Sequence, residues 1–142
     1  MKSINEFRMT FDSRSVNESF ARVAVSAFLS AYDPTVEEIQ DVKTAISEAV
    51  TNCIVHGYPE GIGKIYINVK MFEDGLAKIY IKDKGKGIED VEKALEPLFT
   101  TGGSERSGLG FTVMQSFCDK IKVRSVVGRG TTVILTKKFH LR

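Results

Sequence analysis

Between residues 65 and 82 the chain alternates apolar and polar side chains with a single break. Ile65, Ile67, Val69 and Met71 alternate with Tyr66, Asn68, Lys70 and Phe72, and Ala77, Ile79 and Ile81 alternate with Lys78, Tyr80 and Lys82. Period-two alternation marks a strand with one buried face, and Glu73-Asp74-Gly75 between the runs predicts a hairpin turn. Residues 7–11 read as a further strand, and 121–126 with 131–137 as a second hairpin about Gly128-Arg129-Gly130. Helical spacing supplies the cover for the apolar face. Over 16–31, Phe20, Val23, Ala24, Ala27, Phe28 and Ala31 recur at three- and four-residue steps and are expected to form a buried stripe. Asp33-Pro34 separates this helix from one over 35–56, whose stripe is Val36, Ile39, Val42, Ile46, Val50 and Cys53 and whose stop is Gly57. Shorter helical candidates lie at 89–95 and 109–118. The order predicts an α/β (α+β) two-layer sandwich: a mixed, mostly antiparallel sheet with helices on one face.

At 142 residues the chain is expected to be one domain, 1–142, with one site. A net charge of +2 gives no strong pull toward nucleic acid or a membrane surface. No stretch resembles a signal peptide or is long and apolar enough to span a bilayer, so a cytoplasmic protein is expected. Cys53 and Cys118 stand alone in helical surroundings and read as core thiols, because zinc ligands come in closely spaced pairs.

The chemistry concentrates in three places. Glu48 and Asn52 are i, i+4 neighbours on the second helix, nearly opposite its apolar stripe. Either alone reads as an ordinary surface residue. Asp83 follows directly on a strand, with Gly85 and Gly87 behind it, which fixes an acceptor where the backbone allows close approach. A turn cap is the plain alternative. The third element, Thr100-Thr101-Gly102-Gly103-Ser104-Glu105-Arg106-Ser107-Gly108-Leu109-Gly110, runs into a helix start whose amides suit phosphates. No G-x-x-x-x-G-K-[ST] segment is present, and Gly108 and Gly110 lack the third glycine and preceding strand of a dinucleotide fold.

In this order, Glu48-Ala49-Val50-Thr51-Asn52, Asp83-x-Gly85-x-Gly87 and Ser107-Gly108-Leu109-Gly110 resemble the GHKL superfamily of ATPases and kinases, with its Bergerat ATP-binding fold. Within it, residues 47–58, 97–101 and 105–111 are similar to the anti-sigma-factor serine kinases, on their sporulation branch. That resemblance implies ATP and Mg²⁺ as cofactors. It implies a sigma factor of the sigma F type as partner, an anti-anti-sigma protein phosphorylated on serine, and a homodimer, with no direct nucleic-acid or membrane contact. Asn52 would hold Mg²⁺, and Glu48 would accept the substrate hydroxyl's proton. Asp83 would take the adenine amino group's hydrogen bond, with Gly87 permitting the approach and Thr132 in support. Thr100, Thr101, Arg106, Ser107, Gly108, Leu109 and Gly110 would close over the triphosphate. Arg22 would touch partner proteins. A stress-response relative of the sigma B type, or an ATP-gated binding module without transfer activity, are the alternatives.

Overall fold

The computed structural model describes residues 2–96 and 105–140, for 105–109 the backbone alone. Five strands, β1 (Ser3–Asp12), β2 (Lys64–Phe72), β3 (Leu76–Asp83), β4 (Lys120–Val126) and β5 (Gly130–Lys138), form one sheet in the order β1-β2-β3-β5-β4. Every described pairing is antiparallel, so the mixed sheet expected from sequence is replaced by a uniform one. Residues of the first alternating runs, Ile65, Ile67, Val69, Ile79 and Ile81, are buried on one face together with Val133 and Leu135. Each contributes about 1.5–3 kcal/mol by leaving water.

Helices α1 (Val16–Ser30), α2 (Val36–Asn52), α3 (Val91–Leu95) and α4 (Glu105–Phe117) complete the fold, with α1 and α4 both packed against α2. A capping box starts α2: Thr35 Oγ1 accepts from the Glu38 amide at 3.0 Å, and Glu38 Oε1 accepts from the Thr35 amide at 2.8 Å. The helix expected over 35–56 changes pitch before it ends. From Cys53 to Gly57 it is a π turn, closed by the Tyr58 amide donating to the Cys53 carbonyl at 3.0 Å. Such single-turn widenings gather at functional sites.

The stripe expected to be buried on α1 is not the one that packs. Ala21, Val25, Ser26 and Leu29 face the core, while Phe20 and Val23 are 56% and 59% exposed. Ser26 conceals the true face from a hydrophobicity pattern, and its hydroxyl enters cheaply by donating to the Arg22 carbonyl at 2.7 Å. Phe28 does turn inward, its ring 4.7 Å from that of Phe7 on β1.

Phe139 and His140, just after β5, are clasped to the β2–β3 turn and the start of α2. Phe139 is buried and its amide donates to the Gly75 carbonyl at 2.9 Å, while the His140 amide donates to Glu38 Oε2 at 3.0 Å, with His140 Nδ1 2.8 Å from the same oxygen. Burial pushes the Glu38 carboxyl up, but the Thr35 amide and the His140 ring and amide outweigh it and bring the group down to about 2. A depressed carboxylate contributes stability that is complete above its unfolded value, near 4.5, and disappears as pH falls toward 2. Thermal melts of the wild type are therefore expected to fall through that window, and Glu38→Gln should melt lower at neutral pH with a shallower acid dependence.

Candidate functional site

A pocket with a cavity volume of about 70 Å³ opens where the C-terminal end of α2, the π turn, the end of β3 and the start of β5 meet. Its apolar wall is Ala49, Ile81, Ile88, Ala94, Phe111 and Val133, and its polar groups come from Asn52, Cys53, His56, Asp83 and Thr131. A mainly apolar slot with a few convergent polar groups is the usual form of a small-molecule site.

Asp83 lies at the floor, only 4% exposed. Its Oδ1 accepts from the Gly85 amide at 2.9 Å and from the Thr131 amide at 3.3 Å, and the Cys53 thiol also donates to the carboxylate. Burial nevertheless holds its carboxyl above the ordinary value, against the lowering effect of those donors. The same burial, with Asp83 beside it, pushes the Cys53 thiol up and keeps it in its inert form. An ionised carboxylate offers about four lone-pair sites, so Asp83 retains capacity for a donor entering from the pocket.

The glycines shape this floor. A Cβ at Gly57 would stand 2.8 Å from Asp83 Oδ2, and one at Gly85 would collide with the Gly57 carbonyl. Gly87 has φ +79°, open to glycine, and a side chain there would meet the Val126 carbonyl. Gly85 and Gly87 thus let the loop lie against the π turn and the β4–β5 turn, and Gly87 also lines the pocket.

Glu48 and Asn52 project between α2 and α4 as half-buried neighbours, not onto an open outer face. A Cβ on Gly110 would lie 3.1 Å from both amide atoms of Asn52 and 3.4 Å from Glu48 Oε2, so α4 approaches these two side chains at a glycine. Asn52 Nδ2 is buried and finds no hydrogen-bond partner among the described residues. The orphaned atom is a donor, suited to an incoming acceptor such as a phosphate oxygen, while Oδ1 of the same amide is the atom that could face a cation. Asn52 together with the buried Asp83 and the glycine-lined approach fits a nucleotide with its divalent cation. Among the described residues no three His, Cys, Asp or Glu side chains gather into a metal cluster. An amide oxygen suits a hard cation that keeps most of its waters.

Thr132 does not enter this site. It faces the other side of the sheet, in a groove with Tyr66, Tyr80 and Lys82, whereas Thr131 lines the pocket. The parity was legible: residues 131, 133 and 135 share the face on which Val133 and Leu135 are buried. The expected strand at 131–137 therefore already placed Thr132 outward. Thr100 and Thr101 lie outside the described residues, and Arg106, Ser107, Gly108 and Leu109 belong to the first turns of α4, which begins at Glu105 instead of near 109. Gly110 is buried against Asn52. Arg22 sits on α1, its Nη1 donating to Glu18 at 2.8 Å and to Ser47 at 2.9 Å, one residue from Glu48. Cys53, His56, Thr131 and Phe111 were not singled out for this site by the sequence. Three of them stand in stretches whose helical or strand patterning explained them fully, and His56 read as a helix end.

A family profile described as a histidine kinase-like ATPase domain matches residues 10–137. An anti-sigma F factor from a Thermoanaerobacter species is 55% identical over 139 residues, covering 96% of each chain. One from Clostridium acetobutylicum is 54% identical over 96% of each, and one from Geobacillus stearothermophilus 50% identical over 95% of this chain and 93% of its own. Among solved structures, the RsbU and RsbW domains of a Mycobacterium tuberculosis protein superpose with a TM-score of 0.70 at 19% identity, over 97% of this chain and 34% of that one. The histidine kinase domain of a blue-light activated kinase from Erythrobacter litoralis gives 0.60 at 17%, over 88% and 60%. At those identities the structures speak to the fold alone.

Proposed function

This chain belongs to the histidine kinase-like ATPase family, alongside the anti-sigma F factors, and from that premise we propose that it is a single-domain anti-sigma factor and ATP-dependent serine kinase. The observation that supports this best is that one pocket is lined by both a buried acceptor, Asp83, and Asn52, with Glu48 one helical turn before Asn52 and beside it at Gly110. Asp83 receives the adenine amino group, backed by the Thr131 and Gly85 amides, and the apolar wall of Ile81, Ile88, Phe111 and Val133 excludes water from the ring. Asn52 holds Mg²⁺, which when bound neutralises phosphate charge. Glu48, one helical turn away, takes the proton from the hydroxyl of a docked serine as its oxygen attacks the terminal phosphate, and the leaving diphosphate retains the bonding pair. Thr100, Thr101, Arg106 and Ser107 close over the phosphates; the amides of Leu109 and Gly110 lie past the first turn of α4 and are engaged within the helix.

The relatives' names support the sigma-factor partner, and the phosphorylated protein belongs to the kinase reading proposed here. A sigma factor of the sigma F type is held inactive, and an anti-anti-sigma protein supplies the serine. Phe20 and Val23 on the outward side of α1, next to Arg22, support placing a partner there. Homodimerisation is part of the same reading, but Phe7, Met9 and Phe11 of β1 turn in toward the helices. The backbone edge of β1, an end strand of the sheet, is the better candidate for pairing than its apolar side chains.

Calorimetry of ATP with and without Mg²⁺ tests the site: Asn52→Ala should abolish the difference between the two titrations, and a wild-type difference would overturn the metal assignment. Arg22→Ala should weaken sigma-factor binding about tenfold or more, as loss of an interfacial arginine commonly does. Its ATP affinity should stay at the wild-type value, measured in parallel.

A further inference from the structure

The outward face of the sheet carries an excess of positive charge. Strand neighbours of the buried residues point away from the helices, and the register sets them in rows across the strands. Lys70, Lys78, Thr136 and Lys120 form one row, Asn68, Tyr80, Ile134 and Lys122 the next, and Tyr66, Lys82, Thr132 and Arg124 the third. The acidic side chains of this face, Glu6 and Asp12, are already paired with Arg8 at 3.3 Å and Lys64 at 2.6 Å. Among the described residues, Lys70, Lys78, Lys82, Lys120, Lys122 and Arg124 have no carboxylate at ion-pairing distance. The formal charge of the whole chain is only +2, so the surface charge is segregated, with the cations collected here.

Three kinds of occupant meet such a face differently. A second copy docked face to face would set cations against cations. A single-stranded nucleic acid would need open aromatic faces for its bases. Here the two tyrosine rings are capped, Lys84 Nζ standing 4.9 Å from the Tyr66 centroid and Lys70 Nζ 5.5 Å from that of Tyr80. An acidic helix fits. The two flanking rows lie four residues apart along each strand, about 13 Å, close to the ~10–12 Å width of an α-helix with its side chains.

We propose that this face docks an acidic amphipathic helix of a partner protein, laid across the strands over the middle row. Its apolar residues would lie along the middle row against the half-buried Tyr80 and the aliphatic stem of the exposed Lys122, contacts that need no open ring face, and its carboxylates on either side would meet Lys70, Lys78 and Lys120 on one flank and Lys82 and Arg124 on the other. Asn68 Oδ1, buried and without a hydrogen-bond partner among the described residues, supplies an acceptor beneath it. Such contacts are solvent-exposed charge pairs, so binding steepens with falling salt.

The test is NMR titration of the isotope-labelled chain with a synthetic helical peptide carrying a leucine stripe flanked by glutamates. Amide shifts should change along the three rows, and Kd should rise about tenfold or more between roughly 50 and 300 mM salt, as screening of several exposed pairs requires. Lys82→Glu combined with Lys122→Glu should abolish these changes while melting temperature and ATP affinity stay at wild-type values. Both side chains are exposed, so folding is not at stake. Unchanged peptide affinity in that double variant would overturn the proposal. So would shift changes confined to α1 or the pocket, or tighter binding of an oligouridylate to the same rows. The nucleotide site stands or falls separately.

Discussion

Glu48→Gln is expected to bind ATP as the wild type does and to lose phosphoryl transfer to the anti-anti-sigma protein by about 10²–10⁴-fold, the usual contribution of a positioned general base. The substitution preserves shape and leaves an amide beside Gly110 and Asn52 where the carboxylate stood. Glu48 is half-buried between two helices and has no role in the pocket floor, so the loss should fall on kcat with little change in KM for ATP. Rapid-quench transfer assays with labelled ATP, beside calorimetry, separate the two quantities. Transfer at the wild-type rate would remove Glu48 as the base and leave the ATP-gated binding module as the better reading.

Asp83→Asn should act at the opposite end of the pocket and on binding itself. The amide keeps one oxygen for the Gly85 and Thr131 amides, which fixes its orientation and turns an NH₂ toward the pocket. An adenine amino group would then meet a donor instead of an acceptor. Loss of a charge-assisted bond is worth about 1.5–3 kcal/mol, so ATP affinity should fall about 10- to 100-fold. The Asn52 contribution should persist, and the residual binding should still respond to Mg²⁺. Equal affinity in wild type and variant would show that the base of the nucleotide does not reach this carboxylate.

The sheet and the second helix were legible in the sequence because their patterns have one reading. Ile65, Ile67 and Val69 can share only one face of a strand, and Ile46, Val50 and Cys53 only one side of a helix. α1 was misread because it has two neighbouring apolar stripes, and the one that packs contains Ser26, which enters the core by bonding to its own helix. At the site, Glu48, Asn52 and Asp83 could be singled out by order and type. Thr131 could not be separated from Thr132 by composition, since threonine suits either face of a strand, although counting the parity from Val133 would have separated them. Cys53 was read correctly as a core thiol, but its donation to Asp83 depends on two elements meeting in space. The π turn has no signature in sequence at all. Its hydrogen-bond shift ends at Gly57, whose carbonyl accepts from the Lys86 amide, a contact between residues far apart in sequence.

That shift acts as a joint between two halves of the pocket. The wide turn follows directly on Asn52, and its last residue, Gly57, accepts from the Lys86 amide at 3.0 Å while lying against the Asp83 carboxylate. One inserted residue therefore fixes the rotational phase between the end of a helix and the loop after a strand. The spacing between Asn52 and Asp83 is in this way gauged by backbone geometry, independent of side-chain choice. Deleting a single residue from 53–57 would restore an unbroken helix and turn Gly57 away from Asp83. Both ends of the pocket would keep their residues, but they would no longer be spaced for one molecule.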